Sequence, residues 1–195
     1  MNLEYFENLG MFLARILRHS PETININIDE HGWANVEELI DGVILAGYRQ
    51  FSLEQLEYVV KTDDKQRYNF NENHTLIRAN QGHSIMVDVE PYELTEEDIN
   101  SIKILYHGTS SRFTKSIDKK GILKMNRNYV QLSANKETAA IVGNRHNKNF
   151  PGTLIIYAID IVKMFNNGYR LYKSVNNVYL IETVPIEYLI EKTEF

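Results

Sequence analysis

Residues 76–87 read Leu76-Ile77-Arg78-Ala79-Asn80-Gln81-Gly82-His83-Ser84-Ile85-Met86-Val87. Between apolar flanks, positions 78–84 hold almost nothing apolar, which a core strand would not tolerate. A cluster of donors sits where buried strands end and begin, the usual way a scaffold mounts a site. A plain polar turn with Gly82 at positive φ is the competing reading. Upstream, Tyr68–Phe70 and Leu76–Ala79 read as a hairpin joined by Asn71-Glu72-Asn73-His74. Leu53, Leu56, Val59 and Val60 recur at helical spacing behind Ser52 as N-cap; Val36, Leu39, Ile40, Val43 and Ile44 predict another helix, ended by Gly47. Ile24, Ile26 and Ile28 alternate as a short strand, turned by Asp29-Glu30-His31-Gly32, with Trp33 expected as a core anchor rather than a ligand platform. Leu3, Phe6, Leu9, Leu13, Ile16 and Leu17 predict an amphipathic helix over 3–19, with Arg18 and His19 in its last turn and Pro21 as its stop. Helices followed by a two-stranded wing make residues 1–87 a winged-helix-like lobe.

Downstream, residues 88–102 carry six acids and no base, include Pro91, and read as an acidic linker. From 103 to 195 the pattern is a mixed α/β lobe. Strands are expected at Ile104–Tyr106, Val130–Leu132, Thr153–Asp160, Tyr169–Tyr172 and Val178–Ile181, and helices at Arg112–Lys119 and Lys136–Val142. The fold class is therefore α+β. Neither GxGxxG after the first strand nor a P-loop motif is present, so Rossmann and ATP chemistry are not suggested.

The chain of 195 residues, 43% hydrophobic, suffices for one large or two small cores. It contains no cysteine, which excludes disulfides and thiolate metal sites. The six histidines lack paired ligand spacing with carboxylates, so no metal is expected. Without a long apolar run or signal-peptide pattern, a cytoplasmic protein with no membrane association is the default, and a monomer is expected. The formal net charge of −5 is uneven: residues 1–87 carry 7 Lys+Arg against 13 Asp+Glu, whereas residues 103–195 carry 14 against 7. A local basic field steers a polyanion even when the whole chain is acidic. The winged-helix pattern also raises a DNA-reading regulator, but residues 52–61 offer Lys61 alone against Glu54 and Glu57, too little cation for a recognition helix.

Three arginines stand beside histidines or polar turns in distant segments: Arg18 with His19, Arg78 in the polar insert, and Arg145 with His146. Guanidinium forks suit a dianionic phosphate because they bond bidentately and stay protonated. Scattered surface arginines remain the alternative from spacing alone. The order of motifs goes further. Leu17-Arg18-His19, Asp29-Glu30-His31-Gly32-Trp33, Asp63-Asp64-Lys65-Gln66-Arg67, Ile77 to Ser84, Tyr106-His107-Gly108-Thr109, Leu132-Ser133-Ala134 and Val142-Gly143-Asn144-Arg145-His146 span nearly the whole chain. In that order they resemble the NAD-dependent RNA 2′-phosphotransferases, the KptA-like family.

The resemblance implies an ADP-ribosyltransferase-like second lobe and a substrate RNA with an internal 2′-phosphate, tRNA included. NAD is consumed as co-substrate, through an RNA-2′-phospho-ADP-ribose intermediate, to give 2′-OH RNA, ADP-ribose 1″,2″-cyclic phosphate and nicotinamide. It assigns phosphate binding to Arg18, Arg78 and Arg145. His19, the only member of the matched tetrad able to shuttle protons near neutrality, goes to the second step. It places His107, Gly108 and Thr109 at the dinucleotide with Ser133 and Ala134, where glycine lets backbone approach the ligand. Lys65, Arg67, Asn80, Gln81, His83 and Ser84 are the candidates to grip RNA. Two positions depart from the family pattern: Gln131 stands for a histidine and Asn144 for a second arginine. Glu182 falls at the end of an apolar strand, which disfavours transfer to a protein side chain. ADP-ribosyl capping of terminal phosphates and noncatalytic binding of RNA or ADP-ribose are the alternative functions.

Overall fold

The computed structural model describes residues 3–149 and 152–195, with the side chains of residue 3 and residues 146–149 outside that description. The chain is α+β and divides into two compact units, Met1–Glu90 and Pro91–Phe195.

In the first unit, helix α1 (Leu3–Arg18) buries Leu9, Leu13, Ile16 and Leu17 completely, a spacing that returns to one face every turn. The chain then differs from the strand expected at 24–28. Pro21–Ile24 is a 3-10 turn, for which the fixed φ of Pro21 is suited, and Asn25 takes the left-handed conformation (φ 56°). Only Ile28 forms a bridge, to Ala34. The strand lies later, at β1 (Trp33–Asn35). Asn35 then caps α2 (Val36–Leu45), its side chain accepting from the backbone N–H of Glu37 and Glu38; Ser52 caps α3 (Leu53–Thr62) through Gln55 N–H. The expected hairpin forms as β2 (Tyr68–Phe70) and β3 (Leu76–Ala79), in an antiparallel sheet of order β1-β3-β2. Strand alternation sends Ile77 and Ala79 into the core and leaves Leu76 and Arg78 on the other face. Residues 85–87 do not begin a strand, and Met86 is 96% exposed.

Residues 88–102 are not a linker. Residues up to Glu90 belong to the first unit, and those from Pro91 are folded into the second. There, β4 (Tyr92–Glu93) leads into α4 (Glu96–Ile102), whose Thr95–Asp98 capping box and buried Ile99 anchor it. Three of its six acids, Glu96, Glu97 and Asp98, form the first turn of that helix, where carboxylates meet the positive end of the dipole.

The second unit continues with β5 (Ile104–Ser110), α5 (Thr114–Lys120), β6 (Ile122–Leu123), β7 (Val130–Leu132) and α6 (Lys136–Asn149). Then follow β8 (Leu154–Asp160), α7 (Ile161–Asn166), β9 (Tyr172–Lys173), β10 (Tyr179–Ile181), β11 (Thr183–Val184) and β12 (Leu189–Glu194). They pair antiparallel in orders β12-β8-β5, β4-β9-β10-β7 and β11-β6. Strand β8 is buried from Leu154 to Ile159, so both its faces are covered: Ile155, Tyr157 and Ile159 join the main core, while Leu154 and Ile156 meet Ala139 of α6.

Candidate active site

The first unit brings the polar insert against the end of α1. Ser84 N–H donates to the Arg18 carbonyl (3.0 Å), and Ser84 Oγ lies 2.9 Å from His19 Nδ1. His19 is exposed and Arg18 half-buried where α1 ends, and the last carbonyls of the helix need partners from outside it. Ser84 supplies one. His83, by contrast, is only 2% exposed, and its Nε2 meets no partner among the described residues. Burial first, then the nearby charges of Arg18, His19 and Arg78, lower its pKa to about 4, so its ring is neutral at pH 7. Two guanidiniums are thereby spaced by an uncharged imidazole.

Arg78 is held from three sides. Its guanidinium stacks over the Trp33 ring, 4.4 Å from the centroid, its Nη1 donates to the His31 carbonyl (3.3 Å), and the Glu90 carboxylate stands at 4.0 Å. Arg78 Nε is buried and meets no acceptor among the described residues, a donor unspent within the protein. The platform is built by Asp29, whose carboxylate accepts from the N–H of both His31 and Trp33, and by Gly32 at φ +84°. Trp33 is therefore a guanidinium platform as well as a packing residue, a role sequence reasoning missed. A solitary tryptophan directly after an Asp-x-x-Gly turn, in register with Arg78 across two strands, is the signal that could have found it.

The remaining candidates of this unit divide by exposure. Lys65 is exposed; Arg67 is half-buried and ion-paired with Asp63, which also accepts from the Arg67 backbone N–H. Asn80 is buried, its Nδ2 donating to the Gln66 carbonyl (2.6 Å) and its N–H to the Arg67 carbonyl (2.8 Å). Asn80 and His83 thus lie beneath the surface, where they shape the loop and the arginines instead of presenting a side chain to RNA. Gln81 is partly buried, and Ser84 is exposed.

In the second unit, His107 Nδ1 lies 3.2 Å from the Gln131 carbonyl, which can only accept. Nδ1 therefore carries the hydrogen, and in the neutral ring Nε2 bears the lone pair. This contact uses the backbone of Gln131, so the departure from histidine there leaves it intact. Tyr106 and Ser133 exchange both backbone hydrogen bonds, bringing Ser133 and exposed Ala134 beside the His107-Gly108-Thr109 segment. Glycine at 108 serves a different purpose from the one expected: a Cβ there would stand 1.7 Å from the Ala139 carbonyl oxygen, so it is the α6 backbone that approaches. Gly143 mirrors it, its Cβ position falling 2.9 Å from Thr109 N. Thr109 is buried beneath this contact. Arg145 follows two residues later on α6, exposed, as is Asn144; His146 contributes a side chain outside the described residues.

Two guanidiniums around a neutral imidazole, with an exposed histidine at their side and an unspent buried donor, have the chemistry that suits a phosphate. Comparison with known proteins makes the class specific. Residues 6–183 match the family model described as RNA 2′-phosphotransferase, Tpt1 / KptA family. A protein of Fusobacterium nucleatum described as "Probable RNA 2′-phosphotransferase" is 45% identical over 93% of this chain and 96% of its own length. Proteins of the same description from Flavobacterium johnsoniae (42%, over 97% and 98%) and Trichormus variabilis (40%, over 93% of each) are similar along their whole length. The chain belongs to the RNA 2′-phosphotransferase family, as its seven ordered motifs imply.

Proposed function

We propose that the protein removes an internal 2′-phosphate from RNA, tRNA included, by transferring it to NAD. The observation that carries this reading is the joining of Arg18-His19 to the polar insert through Ser84, beside Arg78 with its unspent Nε. Arg18 and Arg78 hold the phosphate dianion. Arg78 comes pre-oriented by Trp33 and the His31 carbonyl, so little is lost in ordering it when the phosphate arrives. The first displacement needs no general base, since the phosphate is already anionic and the departing nicotinamide leaves neutral; positioning and charge suffice. The second displacement must move protons, because a ribose hydroxyl attacks the phosphodiester and the RNA 2′-oxygen leaves. Arginine is a poor shuttle with a pKa above about 12; His19 fills that role.

Bound NAD supplies the anomeric carbon that receives the phosphate. The residues fit such a ligand: half-buried His107, oriented through its Nδ1 by the Gln131 carbonyl, has the chemistry to bond a ribose hydroxyl, with Ser133 and Ala134 alongside, while Gly108 and Thr109 seat α6. Arg145 is assigned to phosphate binding on the family match, and Lys65, Arg67, Gln81 and Ser84 to the RNA. The first unit is read as a winged-helix-like RNA-binding lobe and the second as an ADP-ribosyltransferase-like lobe, supported by the wing hairpin and by the short antiparallel strands. The test incubates the protein with NAD and a 2′-phosphorylated oligonucleotide. Release of nicotinamide with formation of 2′-OH RNA is expected; a stable adduct would mean ADP-ribosyl transfer without phosphate removal, and binding without turnover would reject the transferase reading.

A further inference from the structure

A cleft of about 700 Å³ runs along the first unit between α1, the end of α3 and the start of β2, within the range of small-ligand sites. One end is Arg18 and His19, the proposed phosphate site, so whatever is covalently attached to that phosphate has this cleft adjacent to it. Part of its lining is aromatic and apolar, with Phe6, Met11, Ala14, Tyr58, Val59 and Tyr68, and the rest is polar or charged. Phe6 and Tyr58 meet at 4.7 Å between centroids, and Met11 leaves most of its side chain in water at the edge. Tyr68 closes the floor: burial pushes its pKa up to about 12, so its hydroxyl stays protonated and donates to the Gly10 carbonyl. Exposed Arg15 and Lys65 line the cleft together with Arg18 and Arg67; of its three acids Asp63 is committed to Arg67, and Glu7 and Asp64 are exposed, so the bases outnumber the acids.

We propose that this cleft seats a nucleotide flanking the 2′-phosphorylated one on the same RNA strand, its base against Tyr58 and Met11 and its phosphodiester on Arg15 and Lys65. The inference rests on the function proposed above and adds a substrate requirement: the flanking base must be unpaired. Apolar and aromatic walls take any base by its face, which makes the site tolerant of sequence, and rim cations follow the backbone. A duplex offers no free base face to such walls, so it would leave them bare.

The test compares a 2′-phosphorylated dinucleotide with oligonucleotides extended by two residues on the 5′ or the 3′ side. In the wild type, extension on one side is expected to raise kcat/KM about tenfold through KM, and to tighten binding, read by fluorescence anisotropy, to the same degree. Tyr58→Ala and, separately, Arg15→Ala each bring the long-to-short ratio toward one, whereas Tyr58→Phe keeps it. Abasic residues in the extension abolish the part that depends on Tyr58 and keep the part that depends on Arg15. Arg15 is exposed, so its variant answers the question even if Tyr58→Ala folds poorly. A wild-type ratio of one on both sides, or a ratio that survives both alanine variants, overturns the proposal. If no substrate is turned over but binding still depends on length, Tyr58 and Arg15, the cleft stands and the transferase reading fails.

Discussion

His83 is the residue where burial and like charge act in the same direction, holding its pKa near 4 against an ordinary 6.5. The unfolded chain therefore binds a proton on this side chain at a pH where the folded one does not. Stability from this group is complete above about pH 6.5 and is lost as pH falls toward 4, by about 3 kcal/mol in total. His83→Gln, which cannot titrate, should flatten the wild-type decline over that window in urea-unfolding measurements. Parallel slopes for the two proteins would mean that the imidazole is not held neutral. Trp33 acts on the neighbouring cation. An aromatic platform under a partly desolvated guanidinium contributes about 1–2 kcal/mol, so Trp33→Leu should lower kcat/KM for 2′-phosphorylated RNA about tenfold and Trp33→Phe only slightly. Trp33 is the sole tryptophan, and its fluorescence should respond to RNA bearing the 2′-phosphate and not to the same RNA with a 2′-hydroxyl. No response to either would separate Arg78 from the phosphate. In the proposed reaction His19 serves the second displacement, the one in which protons must move. His19→Ala should slow the appearance of 2′-OH RNA far more than the release of nicotinamide in a single turnover, and equal slowing of both would remove it from that step.

The contact between β5 and α6 shows how one element seats another. Gly108 would drive a Cβ into a carbonyl oxygen of α6, whereas at Gly143 the nearest obstacle is the flexible Leu154 Cδ1 at 2.4 Å, with backbone next at 2.9 Å. Gly108→Ala should therefore destabilise the second unit by about 3 kcal/mol or more and Gly143→Ala by less, the difference being whether a side chain can yield. Far-UV circular dichroism is the measurement, since Trp33 reports on the first unit alone; equal losses would show that the helix shifts as a body. Elements with a hydrophobic face were legible in the sequence: α1, α2, α3 and the β2–β3 hairpin carry the period of their geometry, and β8 is an unbroken apolar run of strand length. Others were not, for identifiable reasons. Asn25 breaks an Ile-x-Ile-x-Ile alternation by adopting a left-handed backbone, and the acids of α4 read as solvated linker although they suit the start of a helix. Strand β12 buries none of its residues deeply and is held by its backbone ladder to β8, which leaves no pattern to read. Among the candidates, Arg18 and His19 stood out as charges at a helix end and Arg78 as a charge beside a polar turn. The burial of His83 and Asn80 and the stacking of Trp33 on Arg78 depend on contacts between strands and loops far apart in sequence, which spacing does not encode.

Over the whole molecule the charge is −5, with residues 103–195 carrying twice as many bases as acids, yet the proposed substrate is a polyanion. An acidic protein binds RNA only where local cations meet phosphates, and each phosphate neutralised releases condensed counterions. For a single strand the slope of log affinity against log salt is about −0.7 per phosphate contacted. With the 2′-phosphate and about two flanking phosphodiesters neutralised, kcat/KM at subsaturating RNA should fall about tenfold or more between 50 and 200 mM KCl. Arg78 and Arg145 are read as sharing one phosphate, so Arg145→Gln and Arg78→Gln should each make the slope shallower by less than about 0.7, while their effect on kcat reports what the same cation does for the reaction. The comparison is decisive for Arg145, whose role rests on kinship: a variant with the full wild-type slope and reduced kcat would move Arg145 from the RNA phosphate to the dinucleotide or to the seating of its own helix. A wild-type rate indifferent to salt would mean that these guanidiniums meet no RNA phosphate at all, whatever motifs the chain shares with its relatives.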